Sequence, residues 1–470
     1  LLLPSKQSVG SKRGVPHFFL WRASGLDDDA PEICLGENQM ILMSRGLGVT
    51  GAGAGERVLN RGAAGDGGVA LAYVGSIVAD DERFESVAFS RAGQMFQENL
   101  LTSLAGAGLT PSIVLSQQPL QSFPRGRRAW SPLGHTHLRG GLRVVLVPFL
   151  NINPIRPFSV GVAVLLGLLN WGWKNRNAER RLVFTYNLTE PPGLFTLLAA
   201  RMIRAKAVVA VYDINVPGET VPSTSWRRID FLLHRWLIPR FDALIVASRE
   251  IADDFGDGAP FLRIEGGVGE VVLEKAAVRC LSVSERIPFT VVFAGGLDEA
   301  NGIPELLLAA SLLPRGQYRI RIAGAGPLEQ AVRRAAAESE TVEFLGYLSF
   351  QEVLRCYDDA DVLLNMRITK RLNTRYFFPS KMMEYLASGR PVITTCTGHI
   401  EDEYGKFVFL LRDETAEGLA AMIRQVAELG AEVRAQKAAA ALEFISAHAR
   451  WGVQGRRIVR FLETTVFGDL

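Results

Sequence analysis

The chain has 470 residues, which at about 150 residues per domain predicts about three domains, or two large ones and a tail, and excludes one small module. Its 48% hydrophobic and 21% charged residues are typical of a globular protein and exclude a wholly disordered one. The formal charge of +3, from 52 Lys and Arg against 49 Asp and Glu, is too small for a dedicated nucleic-acid binder. We therefore expect no nucleic acid among its partners.

The cysteines and the N-terminus bear on the cellular compartment. The four cysteines lie far apart and none forms a CxxC pair, so neither a disulfide framework nor a zinc site is predicted. The chain begins with Leu and lacks the charged and apolar regions of a secretory signal. We expect a cytoplasmic protein with no metal and no other cofactor.

The first predicted segments are a tail and an α/β domain. Residues 1–68 show no lasting periodicity and are rich in Gly and Ala, which predicts a flexible tail. Residues 69–280 begin with the apolar strand VALAYVG, followed by the helical pattern SRAGQMFQENLL. Later apolar runs predict strands buried on both faces of a parallel sheet; they are Leu142–Pro148, Arg181–Thr185, Ala207–Tyr212 and Ala243–Ala247.

A second α/β domain is predicted over residues 281–450. Strand patterns such as FTVVFAG, YRIRIAG and PVITT alternate with helical patterns over short links, which indicates a doubly wound sheet. A last helix, within residues 451–470, is expected to pack back on the first domain. The fold class is therefore α/β, with two Rossmann-like doubly wound domains. In such sheets, ligands bind beyond the carboxyl ends of the strands.

Two glycine-rich loops follow consecutive strands of the second domain. Gly295 and Gly296 precede a helix start near Asn301, and Gly324 and Gly326 repeat the arrangement one strand later. Backbone without side chains before a helix N-terminus favours a phosphate. An ordinary tight turn is the alternative, and neither loop is a dinucleotide or P-loop fingerprint.

The segment from Asn365 to Thr395 carries a basic loop and then a helix with Lys381 and Glu384 on one face. A lysine near a helix N-terminus can neutralise a diphosphate, and a glutamate can accept hydrogen bonds from both hydroxyls of a ribose. A solvated surface ion pair is the structural alternative.

Four blocks in this order resemble the donor half of the retaining GT-B glycosyltransferases known as group 1 or family 4. They are FAGGLDEANGIPELLLA, IAGAGPLEQAV, FLGYLSFQEVLRCYDDADVLL and FFPSKMMEYLASGRPVI. The resemblance implies two Rossmann-like domains facing a central cleft, with a nucleotide-sugar donor in the C-terminal domain and an acceptor mainly in the N-terminal one. It implies a metal-independent transfer, a ribose contact from Glu384, and diphosphate contacts beside Gly295 and Gly296.

The sequence also departs from the family. An acid is expected at position 376, where this chain has Tyr376, and Leu297 and Asn301 replace the usual Arg and Lys of the first donor loop. We expect Lys381, Arg375 and Arg371 to supply the missing positive charge. Tyr376 and Ser380 of the same segment complete the predicted donor site.

The N-terminal half offers fewer candidates. Asp213 follows a strand where the family often has an acidic site, so it is a candidate catalytic residue beside Lys381 and Glu384, although it suits a turn equally well. Gly93 and Gln94 are acceptor-side candidates. His135 and His137 are expected on the surface in a polar loop, without a metal.

The predicted function is transfer of a sugar, with retention, from a nucleotide-sugar to a glycan or lipid-linked acceptor in polysaccharide or glycolipid biosynthesis. Two alternatives stay open: a sugar-nucleotide epimerase of the same fold, and a catalytically degenerate binding or scaffold protein. The apolar stretch from Phe158 to Trp173, with its basic end, is either a core helix or a peripheral contact with the inner face of the membrane.

Overall fold

The computed structural model describes residues 68–78, 91–138, 141–187, 192–218, 224–281, 287–379 and 381–468. All of them belong to one compact unit spanning residues 62–470. The tail predicted over residues 1–68 lies outside the described residues except for Gly68. Predicted site residue Ser380 also lies outside them.

The N-terminal half contains an eight-stranded sheet in the order β10-β9-β8-β7-β1-β2-β5-β4. Neighbouring strands are parallel except for β4 and β5. The strands are β1 Val69–Gly75, β2 Pro111–Ser116, β4 Gly134–His137, β5 Arg143–Leu146, β7 Arg180–Tyr186, β8 Lys206–Val211, β9 Ala243–Val246 and β10 Phe261–Arg263, and a separate antiparallel pair joins β3 Trp130–Ser131 to β6 Phe149–Leu150. The four later strand predictions are therefore confirmed, because their apolar residues fill the sheet interior.

The prediction of a loop around His135 and His137 is wrong. Both residues lie in β4, which pairs antiparallel with β5. Their side chains are exposed, as expected, because alternate residues of this edge strand face solvent. The short polar sequence GHTH carries too little apolar pattern to be recognised as a strand.

The helices of this half divide between the two faces of the sheet. They are α1 Arg91–Gly106, α2 Arg156–Lys174, α3 Pro192–Met202, α4 Ser225–Leu237, α5 Arg249–Phe255, α6 Glu270–Leu273 and α7 Ala276–Leu281, with a 3-10 turn at Ile238–Arg240. Buried residues of α2, α3, α4 and α5 share one apolar cluster. Buried residues of α1 belong to another, on the opposite face.

The C-terminal half is a six-stranded, fully parallel sheet in the order β13-β12-β11-β14-β15-β16. Its strands are β11 Phe289–Ala294, β12 Tyr318–Ala323, β13 Val342–Gly346, β14 Val362–Asn365, β15 Val392–Thr395 and β16 Phe409–Leu411. Its helices are α8 Ile303–Leu312, α9 Glu329–Glu338, α10 Phe350–Asp358, α11 Met382–Leu386, α12 Ile400–Tyr404, α13 Ala416–Glu428 and α14 Ala431–His448, with a 3-10 turn at Gly405–Phe407. The strand order reverses between β11 and β14, which is where ligands of such sheets bind.

Contacts of the connecting helices refine the expected boundaries. The Arg279 Nε in α7 donates to Asp358 Oδ1 in α10 at 2.6 Å, so α7 packs with the C-terminal half although it precedes residue 281. Helix α15, Trp451–Phe461, continues into a π-helical turn at Leu462–Val466. It packs on α1, with the Trp451 ring edge-on to Phe96 at 5.1 Å between centroids. Among the described helices, none combines the length and apolar content needed to cross a membrane.

Candidate active site at the edge of the C-terminal sheet

Lys381 and Glu384 lie at the carboxyl edge of the C-terminal sheet, beside the reversal between β11 and β14. The Lys381 Nζ donates to the carbonyl oxygen of Ala294, the last residue of β11, at 2.6 Å. The Tyr385 hydroxyl donates to the same oxygen at 3.1 Å. These two bonds hold the start of α11 against the end of β11, and both predicted side chains are half-buried there.

The electrostatics of this pair follow from burial and mutual attraction. Burial raises the pKa of Glu384, and the Lys381 ammonium opposes that rise. Burial likewise lowers the pKa of Lys381; the Glu384 carboxylate opposes the shift, and the Arg367 guanidinium adds to it. Each charge therefore sits in a crowded setting, where an added ligand charge interacts strongly.

Arg367 is a further cation of this edge that was not chosen as a site residue. It follows β14 directly, and its backbone N–H donates to Thr395 Oγ1 at 3.0 Å. Its guanidinium lies 5.1 Å from the centroid of the Phe377 ring. Burial lowers the pKa of Arg367, and Asp298 opposes the shift. Its position at the strand-order reversal was the available signal, and the denser cluster of cations after it in sequence obscured that signal.

The two glycine-rich loops pack against each other through backbone. Leu297 N–H donates to the Ala325 carbonyl at 3.0 Å. Gly324 has φ of 144°, and a Cβ there would lie 1.8 Å from the Gly295 carbonyl oxygen. A Cβ on Gly326 would lie 2.4 Å from the Leu297 carbonyl oxygen. Both glycines thus have a packing role, which the sequence analysis did not separate from contact with a phosphate.

The first glycine loop is held closed by Asn301 and Asp298. The Asn301 amide donates to both Asp298 carboxylate oxygens, at 3.0 and 2.9 Å, and Asn301 N–H donates to Oδ1 at 2.8 Å. A Cβ on Gly296 would come within 3.0 Å of both side chains. Asn301 is buried. It therefore shapes the loop, whereas the sequence analysis expected it to bind the donor.

The predicted donor cations Arg371 and Arg375 have protein partners in this structure. Arg371 forms a two-pronged ion pair with Glu305 in α8, with N–O distances of 2.6 and 3.2 Å. Arg375 Nη2 donates to Asp254 Oδ1 at 2.9 Å, and the Tyr376 hydroxyl donates to the other oxygen at 2.7 Å. Asp254 belongs to α5, so Arg375 and Tyr376 join the two halves. These contacts differ from the expected donor contacts because the partners lie far away in sequence.

A second junction between the halves involves Glu265 and His399. The Glu265 carboxylate lies 2.6 Å from His399 Nε2 and accepts a bond from the Tyr404 hydroxyl. Burial alone would raise the pKa of Glu265, but the bonds from His399 and Tyr404 and the nearby Arg263 lower it overall. Sequence reasoning missed both residues, because only the fold brings position 265 next to position 399.

The same junction contains a group of oxygen and nitrogen ligands. Glu265, His399 and Glu403 have ligand atoms within 4.8 Å of one another, a spacing that suits a cation. Arg263 already pairs with both carboxylates, at 3.2 Å to Glu265 and more closely to Glu403. The guanidinium thus supplies the positive charge that an ion would bring, and we assign no metal here.

The N-terminal half places Asp213 just beyond the carboxyl end of β8. Asn187, with φ of 46°, donates to Asp213 Oδ2 at 2.8 Å and accepts from Tyr212 N–H at 2.8 Å. Crowding raises the pKa of Asp213, and the Asn187 bond opposes the rise. The carboxylate itself stays exposed. Such a group can accept a proton or a hydroxyl hydrogen bond from a ligand.

The acceptor-side candidates Gly93 and Gln94 lie in the first turn of α1. The Gln94 side chain is buried and donates to Glu98 Oε1 at 3.1 Å, while Gly93 O accepts from Gln97 Nε2 at 3.2 Å. The Gln94 Oε1 atom is buried without a hydrogen-bond partner in the structure. Gln97, which sequence reasoning did not select, also accepts from the Tyr73 hydroxyl at 3.1 Å.

Comparison with solved structures shows the class of fold. Sucrose-phosphate synthase from Thermosynechococcus elongatus aligns with a TM-score of 0.57 at 15% identity, covering 83% of this chain and 98% of that one. HepE from Anabaena, solved in complex with UDP and glucose, aligns with a TM-score of 0.57 at 16% identity, covering 83% and 99%. The chain therefore has the GT-B fold, with two Rossmann-like sheets, as predicted.

The sequence comparisons point to a particular family within that class. Residues 288–428 match the model of the family described as glycosyl transferases group 1, which confirms the resemblance found in the motif blocks. The chain is 29% identical over 150 residues to WcaL of Salmonella typhimurium, described as a colanic acid biosynthesis glycosyltransferase, covering 30% of this chain. It is 26% identical over 153 residues to the amylovoran biosynthesis glycosyltransferase AmsK of Erwinia amylovora, covering 31% of this chain. The matches span 37% and 38% of those relatives' lengths.

Proposed function

We propose that this chain is a glycosyltransferase that moves a sugar from a nucleotide-sugar donor to a glycan or lipid-linked acceptor in cell-surface polysaccharide biosynthesis. One observation carries the proposal: Lys381 and Glu384 meet the end of β11 at the strand-order reversal, inside the segment that matches group 1 glycosyltransferases. The match to polysaccharide-building relatives supports the substrate class. UDP in the HepE structure supports a nucleoside diphosphate as the first ligand to test.

The proposed chemistry places positive charge where the leaving group develops negative charge. Breaking the bond between sugar and diphosphate leaves charge on the phosphate oxygens, and fixed cations in a crowded site stabilise it without reorganising. Lys381 and Arg367 supply those cations in our proposal, and Glu384 binds the ribose. This arrangement needs no metal ion.

Retention of configuration and the acceptor side belong to the same proposal. In the front-face mechanism that the family resemblance implies, the leaving phosphate takes the acceptor proton, so no protein base is required. Asp213 then orients the acceptor hydroxyl, with Gly93 and Gln94 near the same edge of the N-terminal sheet. We propose that the reaction takes place in the cytoplasm, in keeping with the free thiols of the three described cysteines.

Donor consumption tests this proposal. A panel of UDP-, GDP- and TDP-sugars is incubated with the wild type, with Glu384→Ala and with the surface control Glu432→Ala on α14. Nuclear magnetic resonance then follows the released or transferred sugar. We expect one donor to be consumed with its anomeric configuration kept, at least a hundredfold more slowly by Glu384→Ala and unchanged by Glu432→Ala.

Other outcomes of the same experiment contradict the proposal. Free epimerised sugar with nucleotide as the other product would identify an epimerase. Binding of a donor without consumption, with or without candidate acceptor glycans, would identify a degenerate binding protein. Inversion at the anomeric carbon would refute the retaining mechanism alone.

A further inference from the structure

Three helices of the N-terminal half expose long apolar stripes. Along α2, large apolar side chains recur on the outer face at spacings of three, four and seven residues, and α3 and α4 repeat the pattern. The exposed residues are Phe158, Val162, Leu166 and Trp173 of α2, Leu194, Leu198 and Met202 of α3, and Ile229, Leu232, Leu233 and Trp236 of α4. We call this set the three-helix surface. Leu166 is 60% exposed, Leu232 62% and Trp173 70%, which is unusual for so many large apolar residues together.

These stripes lie on one side of the molecule. Helices α2 and α3 pack directly on each other. Arg201 at the end of α3 donates to the carbonyl of Arg240, in the 3-10 turn after α4, at 2.7 Å. Buried residues of all three helices join one apolar cluster over the same face of the sheet. Residues that point away from that cluster therefore face solvent together.

The charge of these helices is one-sided. Together α2, α3 and α4 carry six Lys or Arg residues and a single carboxylate, Asp230, whereas the whole chain has a net charge of only +3. Each exposed tryptophan is paired with an arginine: Arg176 lies 5.0 Å from the Trp173 ring centroid, and Arg240 lies 3.8 Å from that of Trp236. Tryptophan and arginine at the rim of an apolar surface are typical of the boundary between lipid headgroups and acyl chains.

A basic cavity borders this surface at the amino ends of β7 and β8. It has a volume of about 360 Å³ and is lined by five cationic side chains, Arg180, Arg181, Arg201, Arg204 and Lys206. Glu179 and Asp242 also line it, and Asp242 pairs with Lys206 at 3.1 Å. The cavity lies at the edge opposite the carboxyl ends of the strands. Its positive charge thus adds to the rim of the three-helix surface and is separate from the candidate active site.

We propose that the three-helix surface docks on a bilayer that contains anionic lipid. The apolar stripes enter the headgroup region, the arginines and lysines pair with lipid phosphates, and the helices lie in the plane of the membrane. Attraction between basic side chains and anionic headgroups decides for a bilayer over a second copy of this chain, whose own surface here would carry the same charge. The proposal stands whether or not the chain transfers sugar.

Vesicle co-sedimentation of the full chain tests the docking. The probes are vesicles of phosphatidylcholine alone and of phosphatidylcholine with one third phosphatidylglycerol. We expect binding to the anionic vesicles that weakens at high salt, since charges near a membrane surface are screened. Leu166→Asp and Leu232→Asp should each weaken binding more than tenfold, whereas Leu308→Asp on α8, at a leucine 52% exposed, should not change it.

Charge variants separate the electrostatic contribution from the apolar one. Lys174→Gln and Arg235→Gln should each weaken binding to anionic vesicles about fivefold. Arg315→Gln, an exposed arginine of the C-terminal half, serves as the control. Unfolding temperatures that match the wild type show that each variant is folded, and Leu166→Ser and Leu232→Ser replace any that is not.

Three outcomes would overturn the proposal. The first is that the full chain sediments with neither kind of vesicle. The second is equal binding to neutral and anionic vesicles. The third is a stable dimer in light scattering that Leu166→Asp and Leu232→Asp convert to a monomer without any vesicle binding, which would make the surface an interface between two copies.

Discussion

Replacing Glu384 with Gln tests the predicted ribose contact with the smallest change in shape. The carboxylate at the start of α11 offers two acceptor oxygens, one for each ribose hydroxyl. Gln keeps one acceptor and turns the other into an N–H donor. Tyr376 stands where the family resemblance expects a second acid, and its hydroxyl already donates to Asp254 at 2.7 Å. A neighbouring acid at that position therefore does not take over the lost contact.

The expected size of the effect follows from one lost charged hydrogen bond. Such a bond contributes about 2 kcal/mol, which corresponds to a loss of affinity of about 30-fold. A ligand at 100 times the wild-type Kd stabilises the wild type by about 2.7 kcal/mol. At the same concentration the variant sees only about three times its own Kd, so its stabilisation should fall to about 0.9 kcal/mol.

Titration calorimetry with the nucleoside diphosphate that gives the largest thermal shift measures this affinity directly. Comparing each variant with and without ligand removes any change in the stability of the unliganded protein. Glu432→Gln on α14, an exposed glutamate that accepts from Gln436, is the matched control. An unchanged Kd for Glu384→Gln would refute the reasoning about the ribose contact.

Three further predictions follow from the same geometry. Gly324→Ala should lower the free energy of unfolding by about 3 kcal/mol, because its Cβ would clash with the neighbouring loop; denaturant unfolding beside Gly430→Ala, where a Cβ meets nothing, checks it. Lys381→Ala should weaken diphosphate binding more than Arg375→Ala, whose guanidinium is already paired with an aspartate of the other half; equal losses in calorimetry would contradict this. The lowered pKa of Glu265 means that its contribution to stability is complete above its ordinary pKa of about 4.3 and disappears as pH falls through the lower folded value. Glu265→Gln should therefore flatten the decline of the unfolding temperature below that pH, and parallel wild-type and variant curves would contradict the assignment.

The sequence predicted the fold of both halves because parallel strands buried on two faces require apolar runs. FTVVFAG and YRIRIAG became β11 and β12 near the expected residues for that reason. Strand β4 was missed because an edge strand that pairs on one side needs only a few apolar contacts. Helix α7 lies on the far side of its expected boundary because Arg279 pairs with an aspartate 79 residues later.

The candidate site was predictable only where its residues are local in sequence. Lys381 and Glu384 are three residues apart, so helix geometry alone places them together. By contrast, the bond from Arg375 to Asp254 spans 121 residues, and that between His399 and Glu265 spans 134. No pattern in a single sequence pairs such residues, and this is why cations expected at the donor were found between the halves.

A crystal structure of the chain with its best-binding nucleoside diphosphate tests the central claim most directly. We predict that the diphosphate lies beside Gly295 and Gly296 within hydrogen-bond reach of Lys381 Nζ, and that the ribose hydroxyls donate to the Glu384 carboxylate. A nucleotide bound away from the β11–β14 edge, with Lys381 still on the Ala294 carbonyl and Glu384 without ligand contact, would contradict the account.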